Sequence, residues 1–140
     1  MNTVAICERD DALRDVQTVC SEYGMPITVE FRKEADVRRD VYGSVKGRSA
    51  ETDGFVISAM PFLNNPNRRD LEKAGLGENA DAMAHTATKD WTDQGWSFDD
   101  IDAERTTIIR GATRYRIVEK HAASQFLDAF LYVILGLRRL

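Results

Sequence analysis

LYVILGLRRL, residues 131–140, is the most apolar run in the chain. Such a run suits a membrane anchor, a partner-binding tail, or a strand buried on both faces. The longest apolar window around it, Phe126–Leu137, is interrupted by Asp128 and falls short of the roughly 20 residues that a spanning helix needs. No membrane partner is expected. Leu-Tyr-Val-Ile-Leu is rich in β-branched and aromatic types, which favours a strand. Both faces of a strand over Leu127–Leu137 are apolar, as in a strand covered on both sides. Arg138 and Arg139 mark its return to water. The tail therefore reads as the strand that closes a small β-barrel.

The neighbouring stretches agree. Thr106–Arg110 reads as a strand, Gly111–Thr113 as a turn, and Arg114–Lys120 as a strand. Tyr115 and Ile117 share one of its faces and Arg114 and Arg116 the other. Ala122–Gln125 reads as a loose connection to the tail. Upstream, Ile27–Arg32 alternates apolar and polar residues, and Gly54–Met60 reads as a strand. Pro61–Asn67 carries turn chemistry. Asp70–Ala74 reads as one or two helical turns capped by Asp70, with Gly75 or Gly77 as the stop. Ala80–Thr88 reads as a further strand and Lys89–Asp102 as a loop. Near the start, Leu13, Val16, Cys20 and Tyr23 recur at helical spacing, which predicts a helix over 10–23 capped by Asp10 or Asp11 and stopped at Gly24. The stretch 33–53 is polar, charged and Gly-bearing, and reads as a long loop.

The expected fold class is mainly β: a small β-barrel with a short N-terminal helix and long loops, α+β being the alternative. The 140 residues fit one domain, 1–140, with a barrel core over 27–137. The chain is 43% hydrophobic and 30% charged, which is globular rather than disordered composition. A net charge of −4 argues against a wholly basic, nucleic-acid-coating surface, though not against a local basic patch. The first residues carry acids where an export signal needs an apolar core, so Cys7 and Cys20 are expected to be reduced thiols.

Chemistry is sparse. Gly43–Ser49 resembles a phosphate-binding loop, but it has three residues between its glycines where four are needed, and Arg48 where Lys is needed. Asp90 to Ile101 places a glycine at position six of a calcium loop but lacks the carboxylates at three, five and twelve. His85 and His121 have no ligand-spaced partners. No serine lies in a nucleophile elbow, and neither cysteine has an identifiable base. Asp99, Asp100, Asp102 and Glu104 form an acidic cluster that fits solvation or capping. No catalytic residue, cofactor or metal is expected, and the chain is not read as an enzyme. Trp91 and Trp96 have two readings: interface anchors, since Trp dominates many hot spots, or rings folded over a barrel end. The arginine pairs 38–39, 68–69 and 138–139 are solvated surface or inter-subunit ion pairs.

Three stretches carry a resemblance: DLEKAGLGENAD (70–81), KDWTDQGWSFDDID (89–102), and TTIIRGATRYRIVE followed by FLYVILGLRR. Together they resemble the small neck proteins of long-tailed bacteriophages, above all the head-closure or stopper proteins that connect head and tail. The strongest element is the C-terminal one, with Gly111 in the turn, Arg-Tyr-Arg-Ile at 114–117 and Leu-Gly-Leu at 135–137. The resemblance covers about residues 55–140. It implies a barrel that assembles into a homo-oligomeric ring beneath the portal and its adaptor, holds packaged DNA in the filled head without sequence-specific binding, and presents a surface to the tail-terminator proteins. The chain would be made in the host cytoplasm and reside in the virion neck. By position, the resemblance implies that the long loop faces the channel or a neighbouring subunit, with Val41, Tyr42, Gly43, Lys46, Arg48, Glu51 and Asp53 as candidates. Trp91, Trp96, Arg138 and Arg139 are the candidate interface. A tail terminator or adaptor of the same virion is the alternative. From another class, a small nucleic-acid-binding β-barrel would need basic and aromatic residues on one sheet face.

Overall fold

The computed structural model describes residues 3–32, 52–77 and 80–140. Its elements are α1 (Thr3–Tyr23), β1 (Met25–Arg32), β2 (Thr52–Asn64), α2 (Arg68–Lys73), β3 (Ala82–Ala87), α3 (Thr88–Asp93), a 3-10 turn (Phe98–Asp100), β4 (Thr106–Arg110), β5 (Thr113–Phe126) and β6 (Ala129–Arg139). The six strands close into a barrel in the order β1-β2-β3-β6-β5-β4. Every pairing is antiparallel. The fold is thus two three-stranded meanders, β1-β2-β3 and β4-β5-β6, joined by β1 against β4 and β3 against β6. The mainly β class and the barrel are as the sequence reads.

The apolar tail is β6, and it fills the place between β3 and β5. Val133, Leu135 and Leu137 point into the barrel. They meet Ile27 and Val29 of β1, Ile108 of β4, and Tyr115 and Ile117 of β5. Ile134, on the other face, is covered by Leu71, Ala74 and Leu76 from the α2 segment together with Met83. Both faces of β6 are therefore dry from Val133 to Leu137, while Phe130 at one end and Arg138 and Arg139 at the other are exposed. At roughly 1.5–3 kcal/mol per fully buried aliphatic side chain, this strand is a major source of stability.

Several boundaries differ from the sequence reading, each for a physical reason. Helix α1 starts at Thr3, so Asp10 and Asp11 lie inside it and do not cap it. Of its predicted apolar face Cys20 is buried, but Tyr23 is exposed. Gly24 ends the helix with an N–H bond to the Cys20 carbonyl at 2.8 Å. A Cβ there would collide with that same carbonyl oxygen and stand 2.7 Å from the Ala59 oxygen, so the close approach requires glycine. Strand β2 continues through Pro61, where a turn is predicted. Proline has no N–H for the ladder, and Pro61 sits in an irregularity where the register against β3 shifts between Ala59 and Phe62. Strand β5 runs on through Ala122–Gln125, because these weak strand formers pair with Val133–Phe130 of β6. Its register shifts between Ile117 and Glu119, and Leu127, at φ 57°, turns the chain into β6.

Asn67, not Asp70, caps α2. Asp70 is the third helical residue of a reciprocal capping box, with Asp70 N–H to Asn67 Oδ1 at 2.8 Å and Asn67 N–H to Asp70 Oδ2 at 3.2 Å. The stretch 89–102, predicted as loop, holds most of α3 and the 3-10 turn. The predicted loop 33–53 ends earlier, since Thr52 and Asp53 belong to β2 and pair with Arg32 and Phe31. Val41, Tyr42, Gly43, Lys46, Arg48 and Glu51 lie outside the described residues.

Candidate functional site

The two tryptophans are held by α3 and the turn after it. Trp91 is 1% exposed and lies in the core cluster. Its Nε1–H donates to Thr86 Oγ1 at 2.8 Å, and Thr86 Oγ1 donates to the Val133 carbonyl at 2.7 Å. This relay ties α3 to β3 and β6. Trp96 is half-buried. Its ring meets Phe31 at 4.9 Å and Phe55 at 5.6 Å between centroids, edge to face, and Trp91 at 5.8 Å. Of the two readings open from sequence, Trp91 occupies the inward one. The four rings plug the barrel beside Arg32 and Thr52, where β1 and β2 leave the described residues.

Next to this plug lies a cleft of about 460 Å³ lined by Phe31, Trp96, Asp99, Asp100, Asp102 and Arg105. Its carboxylates mostly cap local turns. Asp100 accepts from the Ser97 N–H at 2.8 Å and the Ser97 hydroxyl at 2.9 Å, and these bonds hold its carboxyl below the usual range. Asp102 accepts from the Glu104 N–H at 2.8 Å. Lys120 reaches across from β5, donating to the Phe98 carbonyl at 2.7 Å and lying 4.5 Å over the Phe98 ring.

The second region is the outer wall of β4, β5 and the end of β6. Arg116 stands opposite Thr107 on one side and Arg138 on the other. Arg114 reaches Glu30 of β1 at 3.3 Å. Arg116 has no ion-pair partner within 4 Å among the described residues, and it borders a hollow of about 520 Å³ with Glu104, Thr107, Arg138 and Leu140. Arg139 is exposed, and its backbone N–H donates to Asp81 at 2.9 Å. Tyr115 faces the other way, buried against Phe62 at 5.7 Å. Among the described residues Tyr115 therefore offers these arginines no aromatic platform, as stacking on single-stranded nucleic acid would require.

A third feature is a groove of about 490 Å³ between α2 and the outer faces of β3 and β6. His85 lies in it with a buried Nδ1 that has no hydrogen-bond partner among the described residues, and burial lowers its pKa. The first helix supplies a feature that the sequence reading missed. Glu8, Asp11, Asp15 and Glu22 are all exposed on α1. Their spacings of three, four and seven put them on one stripe of the helix. The signal was present in the spacing of acids rather than of apolar residues.

On the inner side, α1 is tied to α3 by Gln17, whose Nε2 donates to Asp90 at 2.9 Å and Asp93 at 2.8 Å. Among the described residues no group of three or more His, Cys, Asp or Glu side chains gathers as metal ligands. No helix among them is long and apolar enough to cross a membrane. Comparison with known proteins finds no family model, no curated protein and no solved structure that matches this chain.

Proposed function

We propose that this chain is a structural protein of the bacteriophage neck. In this reading it is a head-closure subunit that forms a ring between the portal or adaptor and the tail. The observation that supports it is the stretch carrying the strongest resemblance. Thr106–Arg139 forms one continuous meander, β4-β5-β6, which is half of the closed barrel. A closed barrel leaves few free strand edges, so copies can meet through side chains on the outer wall without risk of runaway edge pairing. That suits a part that must stop at one ring. The test is to disrupt the gene in the phage genome that encodes it and examine lysates by electron microscopy. DNA-emptied or tailless heads beside free, normal tails are expected. Tails of unregulated length would assign the chain to the tail-terminator reading. Normal, infectious virions would overturn both.

A further inference from the structure

We propose that α1 is a proton-sensitive strap, held on the barrel by a Gln17 amide shared between Asp90 and Asp93 and loosened when Asp90 gives up its proton. The proposal does not rest on the neck reading, so either can fail without the other. Helix α1 is lightly seated for its length. It spans 21 residues, yet among the side chains described from Cys7 to Tyr23 only Cys20 is buried. Val19 and Tyr23 are exposed. A single residue, Gly24, joins the helix to β1. Its side-chain ties to the barrel are Gln17 on α3 and Arg9, which binds Asp128 at 3.1 Å in the turn between β5 and β6.

The Gln17 tie has two unlike ends. Nε2 donates to Asp90 Oδ1 at 2.9 Å and to Asp93 Oδ2 at 2.8 Å. Asp90 Oδ2 is buried with no hydrogen-bond partner among the described residues, and so is the Thr88 hydroxyl in the same helical turn. An ionised carboxylate is costly where one of its oxygens is dry and unserved. The protonated form carries a donor of its own there. Asp93 is the opposite case: it is exposed, and Lys89 reaches it at 2.8 Å.

The surroundings of Asp90 agree with this geometry. Burial raises its pKa and Asp93 adds to the rise, against Gln17, the Ser58 backbone of β2 and Lys89, which favour the ionised form. From α1 the Cys20 thiol also faces it, and Tyr132 of β6 lies beyond Cys20. From β3 comes Thr86, which is engaged by Trp91. Helix α1 supplies part of this cover, so the docked helix binds the Asp90 proton more tightly than the lifted one. By linkage, docking is strongest at acid pH and weakens as pH rises through the raised pKa. Asp93 sets a smaller, opposite limb. Lys89 and then Gln17 hold its carboxyl low, so protonating it at more acid pH removes part of the same tie.

Cys20 reports on the strap, because labelling its buried thiol requires α1 to lift. The test uses the full chain carrying Cys7→Ser, which leaves Cys20 as the single thiol. The probe is dithiodipyridine, which labels thiols from acid to neutral pH. At each pH the rate is divided by that of the urea-unfolded chain, which removes the intrinsic pH dependence of the reaction. Protection of Cys20 is expected to fall as pH rises through the raised Asp90 pKa. The fall is about tenfold for each pH unit by which docking raises that pKa. Asp90→Asn keeps an acceptor for Gln17 without the charge, and should stay protected over the same range. Asp93→Asn should keep that fall and lose protection at the acid limb alone. Circular dichroism checks that both variants fold. Low urea should change the rate little, since a lifted helix exposes far less surface than global unfolding. Protection that does not change with pH would overturn the proposal. So would the same fall in Asp90→Asn as in the parent chain, or a rate that follows urea as steeply as global unfolding.

Discussion

Single side chains decide how α3 and α1 are held to the barrel. The Trp91 indole N–H is buried with one partner, Thr86, which in turn binds the Val133 carbonyl. Thr86→Val keeps the shape and removes both bonds, leaving a buried donor unmet at a cost of about 1–3 kcal/mol. Chemical denaturation should show that loss. Trp91→Phe added to Thr86→Val should cost less than the sum of the two single changes, because the orphaned donor is gone. Asp90 gives a pH signature. Burial pushes its carboxyl above the ordinary value, while bonds from Gln17 and the Ser58 backbone pull it back only in part. The folded state therefore holds that proton more tightly than the unfolded state. The stability this provides is present at acid pH and is lost as pH rises through the raised pKa. Asp93 runs the opposite way: Lys89 and then Gln17 hold it low, so its contribution is lost as pH falls. Asp90→Asn keeps an acceptor for Gln17 and removes the buried charge. It should melt above wild type at neutral pH and match it in acid, below the ordinary carboxylate range. A gain that is independent of pH would contradict the assignment.

At the scale of elements, β6 and the α2 segment make one unit. Ile134 faces Leu71, Ala74, Leu76 and Met83, so Ile134→Asp buries an unpaired charge at a cost of several kcal/mol. Insoluble or unfolded protein is expected. A soluble variant with the wild-type circular dichroism and melting curve would show that α2 does not cover β6 in solution. Gly75 stops α2 at φ 78°, and a Cβ there would stand 2.8 Å from His121 Nε2. Gly75→Ala should lower stability by about 1–2 kcal/mol, read from its denaturation midpoint. The elements that were legible are those whose signal is local. β4 has the predicted limits because alternation and a glycine turn define it. β6 was legible because its apolarity on both faces has one economical explanation. The missed pieces depend on distant partners. Ala122–Gln125 has poor strand propensity and is held by β6. Pro61 reads as a turn until the bulge beside it is seen. Asp10 looks like a cap, yet the helix runs on seven residues before it because nothing at Asp10 breaks it.

At the scale of the molecule, the sequence made the barrel legible but not its surfaces. A strand's inward residues are announced by alternation, whereas Trp91 and Trp96 gave the same signal for an interface and for a plug. Their fate depended on Phe31 and Phe55, which come from strands far away in sequence. The arginine wall was half visible. Arg138 and Arg139 stood out as a pair, but Arg116 acquires its meaning only from the register that sets it against Arg138. The proposed reading is that of a ring subunit in a phage neck. Its central claim is one of place. Purified virions carrying a gold-labelled tag on this chain, imaged by electron microscopy, test it most directly. The account predicts label confined to the junction of head and tail. Virions without the chain, or label spread over the capsid or along the tail, would contradict it.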